Sequence, residues 1–341
     1  MTPLAALERV VYLLDRALAP APKVRAFQKA AQIVAGLAPG ELDELIRTGR
    51  VTELAGIGAS TGAVIMEAAR GEVPEYIRRL EADTEVPLAQ GAALRAALRG
   101  DCHTHSTWSD GGASVRAMAA AARALGHEYL VVTDHSPRLT VAHGLTKARL
   151  EAQLAEIAEL NEELAPFRIL TGMEVDILED GSLDMDDDTL ASLDLVVASV
   201  HSKLRQERSE MTRRMVLAAA HPHVDVLGHC TNRKVQGNVH GAARKGSTFD
   251  AELVFAACAK FGAAVEMNCR PERQDPPEEL LALALEWGCE VIINTDAHAP
   301  GQLEWLNYGA DKAVRCEVPP ERVLNVRSAD ELLAWTRAER R

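Results

Sequence analysis

Imidazole and carboxylate side chains are concentrated in the stretch DCHTHSTWSDGG, where Asp101 and Asp110 flank His103 and His105. A single histidine of this kind is more often structural than a metal ligand. Similar residues, however, follow apolar segments farther along the chain, at Asp134, His135, Glu174, His201, His229, Asp296 and His298. Imidazoles bind Zn, Mn or Fe, and a carboxylate can bridge two cations. The set therefore predicts a multinuclear metal site that activates water for attack on a phosphoryl group.

Short apolar runs alternate with helical patterns from residue 100 onward, which predicts seven βα units. After a first strand at DCHTH, the runs are HEYLVVTDH, RILTGMEVDI, LDLVVASVH, VDVLGHC, AAVEMNC and EVIINTDAH. Successive βα units bury both faces of a parallel sheet, so we expect an α/β barrel. The carboxyl ends of barrel strands converge on one mouth. The candidate ligands stand at six of these seven ends and should face a common volume.

Residues 1–84 have a different pattern, in which apolar positions recur every three or four residues between Gly and Pro breaks. This pattern predicts a small all-α domain of four or five short helices. Residues 85–99 are interpreted as a linker, and residues 100–341 as the barrel domain.

The composition indicates a globular protein: 47% of the 341 residues are hydrophobic, and the net charge is −13. Such an acidic chain is not expected to coat nucleic acid through a broad basic surface, although a local basic cleft remains compatible with it. The six cysteines form no CxxC pair and are interpreted as reduced thiols. We identify no signal peptide and no apolar run of membrane-spanning length, and we expect a cytoplasmic protein without a membrane partner.

Two other catalytic designs have no support in the barrel sequence. A GxSxG elbow would indicate a serine nucleophile, and a GxxxxGK[ST] loop would indicate nucleotide triphosphate hydrolysis; neither pattern occurs there. Covalent serine catalysis and hydrolysis through a P-loop are therefore not expected.

The segments HTHSTWSDG, TDHS, GMEVDIL, SVHS, GH and TDAH resemble the polymerase and histidinol phosphatase (PHP) family in order and spacing. The resemblance covers roughly residues 100–340 and looks closest to the PHP domain of bacterial family X DNA polymerases. It implies a distorted (β/α)7 TIM-like barrel with three divalent metal ions, Mn or Zn, or else Fe. It also implies metal-dependent phosphoesterase activity.

The resemblance assigns ligands to each of the three metals. The first would be held by His103, His105, Glu174 and Asp296. The second would share Glu174 and add His201 and His229, and the third would use Asp110, His135 and His298. Asp134 is expected to orient His135, because a ligating imidazole usually donates its second N–H to such a group.

The segment VTELAGIGASTGAVIMEAARGEVPEYIRRLE resembles the helix-hairpin-helix unit of polymerase-β-like enzymes. Its Gly56 and Gly58 would form a hairpin whose backbone N–H groups bind a DNA phosphate; a plain tight turn is the alternative. The lysine nucleophile of related lyase domains is replaced by Arg78 and Arg79, which cannot form a Schiff base, so lyase activity is not expected. Polymerase fingers, palm and thumb are not recognised in this sequence, and polymerase activity is not expected either.

Basic residues after the fifth and sixth strands are predicted to bind substrate phosphate. Arg270 and Arg273 are predicted to act with the metal ligands in catalysis, and Arg233 and His143 to contact substrate. The alternative is that the arginines simply pair with neighbouring acids such as Glu272.

Three hypotheses of function follow. The first is a metal-dependent phosphoesterase acting on DNA as a 3′–5′ exonuclease or 3′-end processing enzyme. The second keeps the metal centre but takes a small phosphomonoester, as a histidinol phosphatase does. The third is a non-catalytic DNA-binding or scaffold protein whose metals only stabilise the barrel. No obligate protein partner is indicated.

Overall fold

The computed structural model describes residues 1–235 and 243–338. The chain forms two compact units, Met1–Val86 and Pro87–Arg341. No described helix is long and apolar enough to cross a membrane. All six cysteines are free thiols.

The first unit is all-helical, as the sequence predicts. Its helices are α1 (Pro3–Arg16), α2 (Ala21–Ala35), α3 (Glu41–Thr48), α4 (Ala59–Ala69) and α5 (Glu75–Asp83), with a 3-10 turn at Val51–Glu53. The N-cap of α1 is Thr2, whose hydroxyl accepts the Ala5 N–H. Leu7, Val10 and Leu14 recur on one face of α1 at helical spacing and are buried in the core of the unit.

The second unit is a seven-stranded parallel barrel. Its strands are β1 (Gly100–Thr104), β2 (Tyr129–Val132), β3 (Arg168–Asp176), β4 (Leu195–Ser199), β5 (Val226–Leu227), β6 (Ala264–Asn268) and β7 (Val291–Asn294). They pair in chain order. A parallel bridge between Thr104 and Ala297 brings the first and last strands together. The predicted seven βα units and TIM-like barrel are confirmed.

One helix, α6 (Ala92–Ala97), precedes β1, and the other helices follow the strands as the βα pattern requires. They are α7 (Val115–Ala124), α8 (Lys147–Leu164), α9 (Asp187–Ala191), α10 (Arg208–Ala219), α11 (Ala251–Phe261), α12 (Glu278–Glu286), α13 (Leu306–Arg315) and α14 (Ala329–Thr336). Short 3-10 turns lie at Thr140–Ala142, Pro300–Trp305, Pro320–Arg322 and Leu324–Val326. Polar N-caps fix several helix starts; the side chains of Ser114, Thr146 and Ser328 each accept a backbone N–H of the first turn.

The segment before β1 is more structured than a linker. Residues from Pro87 onward lie in the second unit and include α6. The Asp311 carboxylate on α13 accepts the backbone N–H groups of Ala89 and Gly91. A side chain at Gly91 would meet the Ala310 backbone at 2.5 Å, so this close approach requires glycine. The ordered part of the second unit therefore begins within the predicted 85–99 linker.

Candidate metal centre

His103 and His105 enter the barrel interior together because alternate residues of a strand point to the same face. His103 lies in β1 and His105 directly follows it, and both are 0% exposed. The same geometry places Glu174 near the carboxyl end of β3, where it is 1% exposed. These three candidate ligands are thus buried at the mouth of the barrel.

Glu174 lies at the centre of five imidazoles from four other strand ends. Its Oε2 is 2.9 Å from His135 Nδ1, 3.3 Å from His103 Nε2 and 3.6 Å from His105 Nε2. Its Oε1 is 2.8 Å from His229 Nε2 and 3.2 Å from His201 Nε2. A single carboxylate facing imidazoles on both oxygens has the arrangement of a bridging ligand.

Two further carboxylates complete the cluster. Asp296 Oδ1 is 3.3 Å from His105 Nε2 and 3.6 Å from His298 Nδ1. Asp110 Oδ1 is 3.4 Å from His298 Nε2 and 3.6 Å from His135 Nε2. All nine predicted ligands therefore lie in one cluster.

The donor set fits divalent cations. Three groups have ligand atoms within 4.8 Å of one another: His105, Asp110, His135 and His298; His103, His105 and Glu174; and His135, Glu174 and His201. Buried polar atoms normally have hydrogen-bond partners. Here several have none: His103 Nε2, His105 Nδ1 and Nε2, His135 Nδ1 and Glu174 Oε2. Cations bound among these atoms would satisfy them, and imidazole with carboxylate is a set that Zn, Mn and Fe accept.

Carboxylates behind the imidazoles orient two of them, a role that was not predicted from the sequence. Glu266 Oε1 lies 2.6 Å from His103 Nδ1, and Asp176 accepts from His201 Nδ1. In a neutral imidazole, such contacts place the proton on Nδ1 and leave the Nε2 lone pair directed at the cluster. Period-two spacing after Glu174 was a usable signal for Asp176, since both face the barrel interior. No local pattern indicated that Glu266 would meet β1.

Asp134 does not orient His135, so that expectation is wrong. Its carboxylate accepts from the Ser106 N–H at 2.8 Å, the Ser106 hydroxyl at 2.6 Å and the Gln153 amide at 2.5 Å. The physical reason is direction: consecutive strand residues point to opposite faces, and Asp134 and His135 are adjacent. Asp134 instead fixes the loop that carries Asp110.

Burial and neighbouring charges shift the pKa values of these groups strongly. Burial, assisted by His298 and His135, lowers the pKa of His105 to about 3. Burial also lowers that of His201, but the carboxylates of Glu174 and Asp176 outweigh it and raise the pKa to about 9. Burial opposes ionisation of Glu174, yet the surrounding imidazoles hold its pKa well below the usual range.

Two predicted arginines stand beside the cluster. Arg270 Nη1 donates to the Asp296 carbonyl at 3.1 Å, and its Nε is 3.2 Å from Glu272 Oε2, the acid considered as its alternative partner. Arg273 Nε is 3.3 Å from Asp296 Oδ2. Both cations are therefore within reach of a phosphate at the centre.

Arg233 and His143 are placed differently. The Arg233 guanidinium donates hydrogen bonds to the carbonyls of Arg273 and Gln274, at 3.1 and 2.6 Å. These bonds stabilise the loop after β6. His143 is exposed in the loop after β2 and belongs to none of the three ligand groups.

Gly56 and Gly58 lie in a tight turn at the start of α4 in the first unit. Gly56 has φ +102°, and a Cβ there would lie 2.7 Å from Ile33 Cδ1. Gly58 is the N-cap of α4, and its N–H donates to Thr61 Oγ1 at 2.9 Å. The glycines border a cavity of about 550 Å³ that is also lined by Lys23, Tyr76 and Arg79.

The chain is similar to a known domain family and to proteins named as an exonuclease and as phosphatases. A family model described as "PHP domain" matches residues 101–269. The "DNA polymerase/3'-5' exonuclease PolX" of Bacillus subtilis is 41% identical over 238 residues, which are 70% of this chain and 41% of that protein. This chain thus spans less than half the length of that relative. A probable phosphatase of Thermoanaerobacter sp. is 28% identical over 210 residues, 58% of this chain and 78% of that protein.

Among solved structures, this chain matches a histidinol phosphate phosphatase from Lactococcus lactis in complex with Zn, L-histidinol and phosphate. The match covers 64% of this chain and 92% of that chain, with 19% identity and a TM-score of 0.46.

Proposed function

We propose that this chain, whose residues 101–269 match a PHP domain, is a metal-dependent phosphoesterase that hydrolyses DNA phosphodiesters from the 3′ end. The observation that carries this proposal is the buried ring of five imidazoles around Glu174, completed by Asp110 and Asp296. The exonuclease named among the relatives, at 41% identity, supports DNA as the substrate.

Three divalent cations, Mn or Zn, or else Fe, are proposed for this centre. They would be held by His103, His105, Asp110, His135, Glu174, His201, His229, Asp296 and His298. When bound, such cations supply a water of lowered pKa and neutralise charge on the phosphoryl oxygens.

The protein's own residues orient and shield this chemistry. Glu266 and Asp176 keep Nε2 of their histidines directed at the cluster. Arg270 and Arg273 supply positive charge at the mouth, where they would bind non-bridging phosphate oxygens. Burial of Glu174 and His105 keeps bulk water from these two side chains, which strengthens their electrostatic contacts.

The test is hydrolysis of a single-stranded oligonucleotide by the purified protein with Mn or Zn. With a 5′ label, a 3′–5′ exonuclease produces a ladder that shortens progressively; with a 3′ label, it releases the labelled nucleotide first. The Asp296→Ala variant should lose this activity while its circular dichroism spectrum is retained. Absence of hydrolysis of DNA would refute DNA as the substrate, and absence of hydrolysis of 3′-phosphate ends and aryl phosphates as well would refute phosphoesterase activity altogether.

A small phosphomonoester is the second candidate substrate. The relatives named probable phosphatases and the net charge of −13 favour it. Competition between an oligonucleotide and histidinol phosphate in one assay separates the two, because the preferred substrate inhibits hydrolysis of the other. A non-catalytic scaffold has no turnover for the Asp296→Ala variant to lose, so this variant also distinguishes that third hypothesis.

A further inference from the structure

The chain has a net charge of −13, yet five basic residues lie close together beside the centre. We call them the mouth cation cluster: Arg233, Lys234, Arg244, Arg270 and Arg273. Their charges do not have the same surroundings. Arg270 is paired with Glu272 and Arg273 with Asp296, whereas Arg233 donates to backbone carbonyls. The sequence had suggested no role for Arg244.

Asn232 joins Arg244 to Arg273. Its Oδ1 accepts from Arg273 Nη1 and from Arg244 Nη2, each at 2.7 Å, and its main-chain oxygen accepts from Arg244 Nη2 at 2.8 Å. Asn232 is itself held, since its Nδ2 donates to the Val200 carbonyl at 2.6 Å and the residue is 5% exposed. The two guanidinium groups therefore lie side by side on one fixed acceptor.

This arrangement leaves positive charge without compensation. Within residues 1–235 and 243–338, Arg244 has no carboxylate partner, and its Nη1 has no hydrogen-bond acceptor. Burial and the adjacent Arg273 lower the pKa of Arg244. Its guanidinium nevertheless stays charged at neutral pH, because an arginine loses its proton only at very high pH. Two neighbouring cations with free N–H donors are the arrangement that binds phosphate, in which charge-assisted hydrogen bonds offset the repulsion.

We propose that Arg244, held beside Arg273 by Asn232, binds the phosphate adjacent to the scissile phosphate of a DNA strand. Arg273 contacts Asp296, one of the proposed metal ligands, and is therefore assigned to the reacting phosphate. Arg244 meets Arg273 only through Asn232 and is therefore assigned to the next phosphate of the strand. A nucleic acid strand supplies a phosphate at both places, whereas a small monoester supplies only one. Arg244 is thus a specificity-determining residue for phosphodiester strands; this inference rests on the phosphoesterase function proposed above.

The test compares two dinucleotides that differ by one phosphate. A thymidine dinucleotide has only the scissile phosphodiester, and the same dinucleotide with a 5′-phosphate adds the neighbouring one. The wild-type protein should prefer the second, and Arg244→Gln should reduce that preference in kcat/KM by about 10-fold or more, the size expected for charge-assisted hydrogen bonds. Activity on the unphosphorylated dinucleotide should change little. Arg213→Gln, at an exposed position of α10, removes the same charge elsewhere and should keep the wild-type preference.

A second measurement is independent of turnover. Binding of a labelled oligothymidylate to the metal-free protein should weaken with salt, and the slope of log Kd against log salt should fall by about 0.7 when one contact to a single strand is lost. Arg244→Gln should show this fall and Arg213→Gln should not. Arg244→Lys, which keeps the charge but loses the bidentate fork, should restore the slope and provides a milder variant if Arg244→Gln folds poorly.

The outcomes separate the two proposals. If the wild-type protein cleaves neither dinucleotide nor an oligonucleotide, the proposed function fails, and this inference fails with it. If it cleaves both dinucleotides equally well, or if Arg244→Gln slows both by the same factor, the phosphoesterase function stands and the role of Arg244 is refuted.

Discussion

Glu266 and His103 form a hydrogen bond in the interior of the barrel, with 2.6 Å between Oε1 and Nδ1 and no exposure of either side chain. Glu266 also accepts from the His229 backbone N–H at 2.7 Å and from the Asn294 amide at 3.0 Å. This one carboxylate therefore links the ends of β1, β5, β6 and β7. The orientation of His103 and His229 therefore depends on the packing of these strands against one another in the closed barrel.

Glu266→Gln should weaken metal binding and hydrolysis without removing a proposed ligand. The amide has nearly the same shape but lacks the negative charge that raises the basicity of His103. We expect a loss of about 10- to 100-fold in metal affinity or activity, as is typical for partners behind metal-bound histidines. Metal titration and kcat measure it, with Glu278→Gln at an exposed ion pair as the control. Equal values for the variant and the wild type would show that this contact is only structural.

Glu174→Gln should have a larger effect, because Glu174 faces five imidazoles and is the proposed bridge. We expect elemental analysis of the purified variant to find fewer metal ions per chain than in the wild type. Hydrolysis should fall by more than the roughly 100-fold limit expected for an outer contact. Glu179→Gln, at an exposed residue five positions later, is the matched control. Full metal content in the Glu174→Gln variant would contradict the bridging role.

Metal binding should strengthen as the pH rises from 6.5 to about 9. Burial lowers the pKa of His201, but Glu174 and Asp176 raise it from 6.5 to about 9 in the metal-free protein, so the ring is protonated at neutral pH. A cation must displace this proton. The favourable contribution of protonated His201 to the stability of the metal-free protein is complete below pH 6.5 and is lost as the pH rises through 9.

Calorimetric titration with Mn or Zn at several pH values, in buffers of different ionisation enthalpy, measures both the affinity and the protons released. Affinity that is constant over this range, without proton release, would contradict the assignment of His201 as a protonated ligand.

Gly56→Ala should weaken DNA binding by the first unit. Alanine is strained by about 1 kcal/mol or more at a positive φ such as +102°. In addition, its Cβ would lie 2.7 Å from Ile33 Cδ1, so the Ile33 side chain that packs against the turn before α4 must shift. Gly71→Ala is the matched control, since Gly71 has φ +79° but nothing within 4 Å of a Cβ.

Fluorescence anisotropy with a labelled oligonucleotide measures this effect, and thermal melting measures the accompanying loss of stability. We expect both variants to lose some stability but only Gly56→Ala to lose DNA affinity, with hydrolysis of an aryl phosphate unchanged in both. Equal DNA affinity of the two variants would favour the alternative of a plain tight turn.

Asn325→Ala should destabilise the barrel where its first and last strands meet. The buried Asn325 amide donates to the carbonyls of Gly100 and Ile293, and its Oδ1 accepts the Ile293 N–H. Removing it leaves buried backbone groups unsatisfied, each at a cost of about 1–3 kcal/mol. Chemical denaturation of the metal-free protein measures the change in the free energy of unfolding. A change under about 0.5 kcal/mol would show that water replaces these bonds.

The sequence alone determined the order of the elements and the identity of the clustered side chains. Apolar runs of strand length alternating with helical patterns predict a parallel barrel, because the crossover helices cover the outer face of the sheet and closure of the sheet buries the inner face. Once the strands are parallel, residues at their carboxyl ends must meet. For this reason His103, Glu174 and Asp296 could be placed in one cluster although they are far apart in the chain.

The tertiary structure decided which partner each of these side chains meets. Glu266 reaches His103 across the barrel, Asp134 turns away from His135 to hold the Asp110 loop, and Arg244 rather than Arg233 lies with Arg273 on Asn232. These contacts join residues from different strands and loops. Their geometry depends on strand stagger, loop path and side-chain direction, which arise only when the whole barrel packs, so no local spacing in the sequence encodes them.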